Sequence, residues 1–237
     1  MHFTLLAFCV AGFSSIAWAY PADLSSPSLV RRDCSSEIAA FNLARRAKRG
    51  LDVKRSIYWG LQNLTCILAP ESLRENYVAN PIVRSDVTEG QIGISLTLDI
   101  GILDVTTCQP LPNTMVEIWS PNAVGEYGAT FLRGALNSAD NGIAEFQTIF
   151  PGFTSEGANH INLLVHTSSS VSSPVAHVGQ VFFTDPWTTI IGMTSPYNQN
   201  THTRVTNIND SAYAAASKAG YYPVVEYVLL LLRGGQY

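Results

Sequence analysis

The feature that most constrains the fold of this chain is a run of apolar residues at every second position, which begins after residue 90. The run consists of Ile92, Ile94, Leu96, Leu98 and Ile100. A two-residue apolar period is typical of a β-strand with one buried face. It ends at a turn-like segment, 106–110, that contains adjacent threonines and a proline. The sequence therefore predicts a long strand here and not an amphipathic helix.

Shorter apolar segments predict further strands after this one. They lie at 115–119, 144–149, 160–166, 177–183 and 224–232. Segments rich in Pro, Asn, Asp and Gly separate several of them, at 112–113, 139–142 and 195–198. One short helix is predicted near the end, at 210–219. Short strands at this spacing, without long helices between them, indicate an all-β domain of the β-sandwich type.

Composition and charge narrow the class of protein. The 237 residues are 46% hydrophobic and 14% charged, which is typical of a folded domain and not of a disordered chain. A domain of about 200 residues buries roughly 70% of its unfolded surface, so it needs no metal in order to fold. From Ser56 onward, 6 basic residues stand against 14 acidic ones. This acidic balance argues against nucleic acid as a partner.

The N-terminus has the pattern of a secretory signal peptide. An apolar run over 5–18 ends in the small-x-small sequence Ala17-Trp18-Ala19, and it is too short to span a bilayer. The apolar run at 229–232 is shorter still, so no membrane anchor is predicted. The expectation is a secreted, extracellular protein whose residues 1–19 are removed.

A basic block follows the predicted signal peptide. It holds eight of the 14 basic residues, between Arg31 and Arg55. The pairs Arg31-Arg32, Lys48-Arg49 and Lys54-Arg55 resemble processing sites of a pro-segment, the interpretation we favour. The alternative is a solvated helix face over 35–49, with Ser and Glu near its start. Residues 20–62 are therefore predicted to be a partly helical pro-segment or linker, and 63–237 the β-sandwich domain.

Two sequons for N-glycosylation accompany the secretion signal. Asn63-Leu64-Thr65 and Asn209-Asp210-Ser211 both fit the Asn-x-Ser/Thr pattern. We predict glycans on Asn63 and Asn209.

Two motifs contain the candidate functional residues. The first has Trp119, Gly125 and Tyr127 in the pattern Trp-x5-Gly-x-Tyr, and the second runs from Phe150-Pro151-Gly152 to His160-Ile161-Asn162. Together they resemble the secreted fungal intradiol ring-cleavage dioxygenases, the family of catechol, protocatechuate and hydroxyquinol dioxygenases. The resemblance covers roughly residues 64 to 230. Further phrases follow in the family's order at 65–71, 83–91, 104–113, 131–134, 177–180 and 225–229.

The resemblance implies an Fe(III) cofactor and a small aromatic diol or other phenolic as the partner. In the family, two tyrosinates and two histidines hold the ferric ion, and an arginine faces the substrate. Tyr127 and His160 stand at one tyrosine and one histidine position. Thr154 replaces the second tyrosine, Asn162 the second histidine and Gly157 the arginine. Half of the implied iron ligands are therefore missing.

The replacements are poor substitutes in chemical terms. The Thr154 hydroxyl keeps its proton at neutral pH and cannot act as a phenolate. The Asn162 amide oxygen is a weak donor compared with an imidazole. No other tyrosine lies between Tyr127 and Tyr197, so shifting the alignment does not recover the ligand. We expect reduced or lost ring cleavage.

Further residues have weaker expected roles. Tyr77 stands near the end of a shortened version of a family phrase that borders the substrate pocket, so it is a candidate substrate contact. Glu126 and Glu156 could offer carboxylates to another metal, but no family role matches them. Within the region of resemblance, Cys66 and Cys108 are the expected disulfide. Cys34 could be cleaved away, free, or paired with one of the others.

Three functions from different classes follow. The protein could be a family member that has lost ring cleavage but keeps the sandwich and binds phenolics or cell-wall material. It could be a ferric dioxygenase with fewer ligands, completed by water or by Glu126. It could also be a non-catalytic interaction module. Metal content and catechol turnover distinguish the first from the second.

Overall fold

The computed structural model describes residues 3–13, 34–48, 67–68 and 72–231. These residues form ten strands, three α-helices and two short 3-10 helices. The strands are β1 Phe3–Phe13, β2 Ile67–Leu68, β3 Ser95–Asp104, β4 Gln109–Pro110, β5 Met115–Trp119, β6 Arg133–Asn137, β7 Ile143–Ile149, β8 His160–His166, β9 Val175–Phe182 and β10 Glu226–Leu231. The helices are α1 Ser35–Lys48, α2 Asp185–Gly192 and α3 Ser211–Lys218, and the 3-10 helices are Tyr197–Gln199 and Asn207–Asn209.

The strands form two sheets. Sheet A has the order β10-β1-β3-β4, with β2 paired to β1 and β7 paired to β3. Sheet B has the order β6-β5-β8-β9, and all its pairs are antiparallel. In sheet A the β1–β2 and β1–β3 pairs are parallel and the others antiparallel. The predicted all-β architecture is confirmed.

The main core lies between the two sheets. Sheet A contributes the alternating residues of β3 together with Phe146 and Ile149 of β7. Sheet B contributes alternate residues of β5, β8 and β9, among them Ile118, Leu163 and Val181. Each side chain of this size stabilises the fold by about 1.5–3 kcal/mol when it is fully buried. This shared core makes the two sheets a sandwich.

The face of sheet B that points away from this core is also covered. Trp119, Leu164 and Val178 form a separate apolar cluster there. The segment before β3 lies over this face, since the Trp119 indole donates to the Glu75 carbonyl at 2.8 Å and the Ser72 amide to the Val178 carbonyl at 3.1 Å. All seven residues of β8 are buried as a result. Polar side chains on this face must therefore find partners within the protein.

Most predicted elements coincide with the observed ones. The strands predicted at 115–119 and 160–166 are β5 and β8, and the helix predicted at 210–219 is α3. Asp210 caps α3, because its side chain accepts from the Tyr213 amide at 2.9 Å. Helix α2 was not predicted. It has only eight residues, with a proline near its start, and directly follows a strand-like apolar run.

The expected disulfide between Cys66 and Cys108 is wrong. Cys108 is bonded to Cys34, with their Cα atoms 5.4 Å apart. The physical reason is the position of α1, which lies against the end of β3: Ile38 is buried in one cluster with Cys34, Leu103 and Cys108. This contact brings residues 74 positions apart in sequence within bonding distance. Cys66 lies outside the described residues.

Several N-terminal expectations fall outside the described residues. These are the signal-peptide cleavage site, the pairs Arg31-Arg32 and Lys54-Arg55, and the sequon at Asn63. Part of the predicted signal peptide, Phe3–Phe13, forms strand β1. The basic block contains α1, which matches the predicted helical run at 35–49 to within one residue. Among the described helices, none has the length and apolar character required to cross a membrane.

Candidate functional site

The residues that the motifs single out lie on the outer face of sheet B. His160 begins β8, and Asn162 follows two positions later on the same face. Asn162 is paired across the sheet with Trp119 of β5 on one side and with Gln180 of β9 on the other. Tyr127 reaches this row from the loop after β5. The fold thus brings together both retained family positions and one of the lost ones.

The loop that carries Tyr127 is a tight turn built on Asn122. The Asn122 side-chain oxygen accepts from the backbone amides of Val124 and Glu126, at 3.1 and 3.0 Å. Gly125 has φ +87°, a left-handed conformation that favours glycine. A Cβ at this position would lie 2.5 Å from the Phe153 carbonyl oxygen. The turn requires a glycine at position 125, and it directs Tyr127 toward Asn162 on sheet B. This turn explains the spacing of the first motif.

Hydrogen bonds connect the polar side chains of this face into one chain. Asn162 Nδ2 donates to the Tyr127 hydroxyl at 3.2 Å. Gln180 Nε2 donates to Asn162 Oδ1 at 3.2 Å and lies 3.2 Å from His160 Nε2. His160 Nδ1 lies 2.6 Å from the Ala158 carbonyl oxygen. We refer to Tyr127, Asn162, Gln180 and His160 as the polar chain.

The partners of His160 fix its tautomer. A carbonyl oxygen only accepts, so Nδ1 carries the proton and donates it to Ala158. Gln180 Nε2 only donates, so the lone pair of His160 Nε2 accepts its hydrogen. The nitrogen that a metal ion would use is therefore already engaged by an amide. Burial lowers the pKa of His160 and favours the neutral ring that this arrangement requires.

Tyr127 is also held in its neutral form. Burial raises its pKa to about 12, although the hydrogen bond from Asn162 acts in the opposite direction. The Arg133 guanidinium lies over the Tyr127 ring, 5.7 Å from the ring centroid. Such a contact contributes about 0.5–1 kcal/mol at an exposed site and more when desolvated. At neutral pH this side chain is a phenol and not a phenolate.

Thr154 and Gly157, which stand at the positions of the family's second tyrosine and arginine, make local contacts. Thr154 is buried, and its hydroxyl accepts from the Glu156 amide at 3.3 Å. A Cβ on Gly157 would lie 2.8 Å from Asp210 Oδ2 and 3.6 Å from the His160 ring. That Asp210 oxygen also accepts from the Ala158 amide at 2.8 Å. The carboxylate that caps α3 therefore stands beside the position of the family's arginine.

Tyr77 lies near this site but makes different contacts. Its ring meets Trp119 edge-on, with the centroids 5.2 Å apart, and it packs in the same cluster as Tyr127. Burial and the nearby Glu117 carboxylate raise the Tyr77 pKa to about 12. Both tyrosines are half-buried. A role for Tyr77 as a substrate contact stays a prediction.

The two carboxylates considered as alternative ligands are not part of the polar chain. Glu126 and Glu156 are both exposed, and Glu156 accepts from the Asn76 side chain at 3.3 Å. Within the described ranges, no group of three or more His, Cys, Asp or Glu side chains could hold a metal ion. The donors of the site are one phenol, one imidazole and two amides.

Sequence reasoning missed two residues of this site. Gln180 joins Asn162 to His160, and Asp210 occupies the space next to Gly157. Gln180 had a signal, since it is a polar residue in an apolar strand and lies within a phrase shared with the family. The sequence identifies Asp210 only as part of a sequon and as the first residue of a predicted helix, because β8, β9 and α2 lie between it and Gly157 along the chain.

Comparison with known proteins gives matches among solved structures. No protein-family model matches the chain, and no curated protein matches it by sequence. An intradiol ring-cleavage dioxygenase from Tetranychus urticae has 29% identity and a TM-score of 0.60, covering 68% of this chain and 87% of that one. Another dioxygenase has 31% identity and a TM-score of 0.56, covering 63% of this chain and 81% of that one. The order of motifs, the sandwich and these matches together show that the chain belongs to the intradiol ring-cleavage dioxygenase family.

Proposed function

We propose that this protein is an extracellular member of the family that has lost Fe(III)-dependent cleavage of catechols. The observation that carries the proposal is the polar chain, in which amides engage the two side chains retained at ligand positions. An amide that donates to the lone pair of a side chain competes with a metal ion for that lone pair. Among the side-chain atoms of the polar chain, only Gln180 Oε1 is buried without a hydrogen-bond partner.

The residues present do not fit a ferric ion. Binding through Tyr127 would require loss of a proton from a phenol with a pKa of about 12. Binding through His160 Nε2 would break its contact with Gln180. Changes outside the ligand set alone typically lower metal affinity 10- to 100-fold, and here two of four ligands are replaced as well. Thr154 and Asn162 supply neither a phenolate nor an imidazole.

The charge beside the site also opposes the family's reaction. An arginine at position 157 would offset negative charge on a bound diol. The structure has Gly157 there, with the Asp210 carboxylate at its side. A negative group in this place repels the ionised form of a diol instead of stabilising it. The site has lost both the cation and the space for its side chain.

Metal content and turnover test this proposal directly. The protein is produced with iron supplied, and its iron is measured by elemental analysis alongside O2 uptake on catechol. We expect well below one iron per chain and no diol consumption. One tightly bound iron per chain together with catechol turnover would show that the proposal is wrong.

A restoring variant sharpens the test. Thr154→Tyr with Asn162→His returns one phenol and one imidazole to the family positions. We expect it to bind more iron than the natural protein and to develop a visible tyrosinate-to-iron absorption band. The matched control is Thr154→Phe with Asn162→Leu, which has similar bulk but no metal-binding atoms. Equal iron in both variants would contradict the assignment of these positions.

A second candidate function is binding of small phenols without turnover. It is favoured by the half-buried rings of Tyr77 and Tyr127, which pack on Trp119 at the site. Aromatic rings in such a cluster can stack on a phenolic ligand. Calorimetric titration with catechol tests it: we expect binding that Tyr77→Ala weakens at least several-fold. No heat of binding with the natural protein would exclude this function.

The extracellular location needs its own measurement. Expression in a eukaryotic host should place the protein in the culture medium, and deletion of residues 1–19 should retain it in the cells. Intact mass of the secreted protein identifies the N-terminus. Retention of the full-length chain inside the cells would contradict this part of the proposal.

A further inference from the structure

Arg133 of β6 is a buried cation beside the aromatic rings of the site. It is 6% exposed, and its guanidinium lies over the Tyr127 ring. Burial lowers the pKa of this side chain, but an arginine keeps its charge in proteins. Buried charges are normally paired, because the removal of an ion from water is unfavourable. Among the described residues, no carboxylate forms an ion pair with Arg133.

The hydrogen-bonding capacity of Arg133 is only partly used. Its Nε donates to the Gly128 carbonyl, whereas its terminal nitrogens, Nη1 and Nη2, have no acceptor among the described residues. These two nitrogens are not among the polar atoms that are sealed from solvent without a partner. Their N–H groups lie in one plane, in the fork geometry that binds both oxygens of a carboxylate. The end of the guanidinium is therefore open to a small anion from solution.

The residue before Arg133 has an unfavourable backbone conformation. Leu132 is fully buried and has φ +54°, in the left-handed region that a residue with a Cβ rarely adopts. Its amide donates to the Val87 carbonyl at 2.7 Å, and its carbonyl accepts from the Ser120 amide at 3.1 Å. Arg133 follows as the first residue of β6, paired with Trp119 of β5. Such local strain is typical of functional sites, and here it adjoins the residue that reaches the aromatic rings.

A second guanidinium lies at the same aromatic cluster. Tyr77 and Tyr127 pack in one cluster with Trp119. The Arg74 guanidinium is 5.8 Å from the centroid of the Tyr77 ring, as that of Arg133 is 5.7 Å from the Tyr127 centroid. Each of the two tyrosine rings thus has a cation over it. This arrangement attracts a ligand that combines an aromatic ring with a negative charge.

The negative groups of the site lie elsewhere or are hydrated. Asp210 stands beside Gly157, at the His160 end of the polar chain and not at the Tyr127 end. Glu75 and Glu156 also act electrostatically on Tyr127, but both are exposed. Salt and water screen exposed charges much more than buried ones. An anion therefore meets its most favourable surroundings next to Arg133.

We propose that the cluster of Tyr77, Trp119 and Tyr127 binds a small aromatic carboxylate, whose two oxygens accept from Arg133 Nη1 and Nη2. The ring of such a ligand packs on the tyrosines, and its charge supplies the counter-ion that Arg133 lacks. No vicinal diol and no metal ion are required. The inference deepens the phenol-binding function proposed above and rests on it, but it does not depend on whether iron binds.

The experiment is calorimetric titration of the secreted full-length protein with benzoate and with its neutral isostere benzamide, at neutral pH. We expect benzoate to bind about 10- to 100-fold more tightly, the effect of a hydrogen bond to a charged group. Thermal unfolding gives a second measurement, since a ligand that binds only the folded protein raises Tm. Equal affinity for the two compounds, or no binding of benzoate, would overturn the proposal.

Three variants make the result specific to Arg133. Arg133→Gln should lower benzoate affinity about 10- to 100-fold and retain benzamide binding, which reports an intact aromatic cluster. Arg133→Lys keeps the charge without the fork and should lie between the two. Arg204→Gln is the matched control, since Arg204 already has the Asp185 carboxylate at 3.7 Å, and it should leave benzoate binding unchanged. Equal losses in Arg133→Gln and Arg204→Gln would contradict the assignment.

Failure of this proposal is distinguishable from failure of the binding function. Binding of catechol without a preference for benzoate over benzamide would refute the role of Arg133 alone. No binding of catechol, benzoate or benzamide would refute both. If Arg133→Gln does not fold, the comparison of benzoate with benzamide on the natural protein decides the question.

Discussion

The two ends of strand β8 carry buried histidines in opposite electrostatic settings. His160, at the start, meets the Ala158 carbonyl and the Gln180 amide. His166, at the end, meets the Ser173 carbonyl at 2.8 Å and the Glu117 carboxylate at 2.6 Å. Burial lowers the pKa of His160. Burial also acts to lower that of His166, but the bonds to Glu117 and Ser173 outweigh it, so the pKa of His166 is raised.

Burial decides the direction of the pKa shift at His160, whereas at His166 the bonds to Glu117 and Ser173 together outweigh burial. Both rings are nearly inaccessible, at 7% and 2% exposure. Two acceptors face His166, so both of its nitrogens can donate. One acceptor and one donor face His160, which holds it neutral. The family's ligand position has thus become a neutral hydrogen-bonded residue, while a buried ion pair joins β5 to β8 at the other end.

The largest expected effect comes from breaking the ion pair. Glu117→Leu leaves His166 with one acceptor and no counter-charge. Removal of one partner of a buried pair costs about 3–5 kcal/mol, and we expect about 3 kcal/mol because the imidazole can release its proton. Urea unfolding at neutral pH measures the loss. The double variant with His166→Leu should recover part of it, and no recovery would mean that the pair is not coupled.

Breaking the polar chain should cost less. Asn162→Leu leaves the Tyr127 hydroxyl without its donor and Gln180 Nε2 without one acceptor. An unsatisfied buried polar group costs about 1–3 kcal/mol, so we expect a loss of about 2 kcal/mol in unfolding free energy. Asn162→His is the control, since it retains polar atoms and should lose less. Equal losses in the two variants would argue against the hydrogen bonds as the cause.

Removing the cap beside His160 should have a smaller effect. Asp210→Ala deletes the acceptor for the Tyr213 and Ala158 amides. Loss of a helix N-cap typically costs about 1 kcal/mol. Asp210→Asn keeps one acceptor oxygen, enough for one of the two amides, so it should lose less than Asp210→Ala. A thermal unfolding shift of the same size in both variants would show that the retained hydrogen bond contributes nothing.

The smallest and most diagnostic effect is the pH dependence of stability. The raised pKa of His166 gives stabilisation that is complete below the unfolded value of about 6.5 and is lost as pH rises through the folded pKa. The lowered pKa of His160 gives the opposite: stability is complete above about 6.5 and falls as pH drops below it. His166→Gln should remove the first slope and His160→Gln the second. Unfolding free energies between about pH 5 and 8 measure both, and slopes of the same sign would refute the contrast.

The sequence predicts more of the fold than of the contacts within the site. The bounds of β5 and β8 follow from short apolar segments in the sequence, and the motif spacing places Tyr127 near β8. The role of Gln180 depends on the register between β8 and β9, which pairs it with Asn162 and is not encoded locally. The Cys34–Cys108 bond depends on where α1 docks, and the Asp210–Gly157 contact on how the chain after β9 folds back. Each of these contacts depends on which distant segments of the chain pack together, and the types of the residues alone do not determine that.

Asp210 carries a consequence for engineering at position 157. Its carboxylate caps α3 and also fills the space beside Gly157. An arginine at position 157 would place its Cβ 2.8 Å from Asp210 Oδ2, whereas removal of the carboxylate costs the cap of α3. A designed arginine at this position therefore requires a second substitution that relieves the clash and keeps the helix capped.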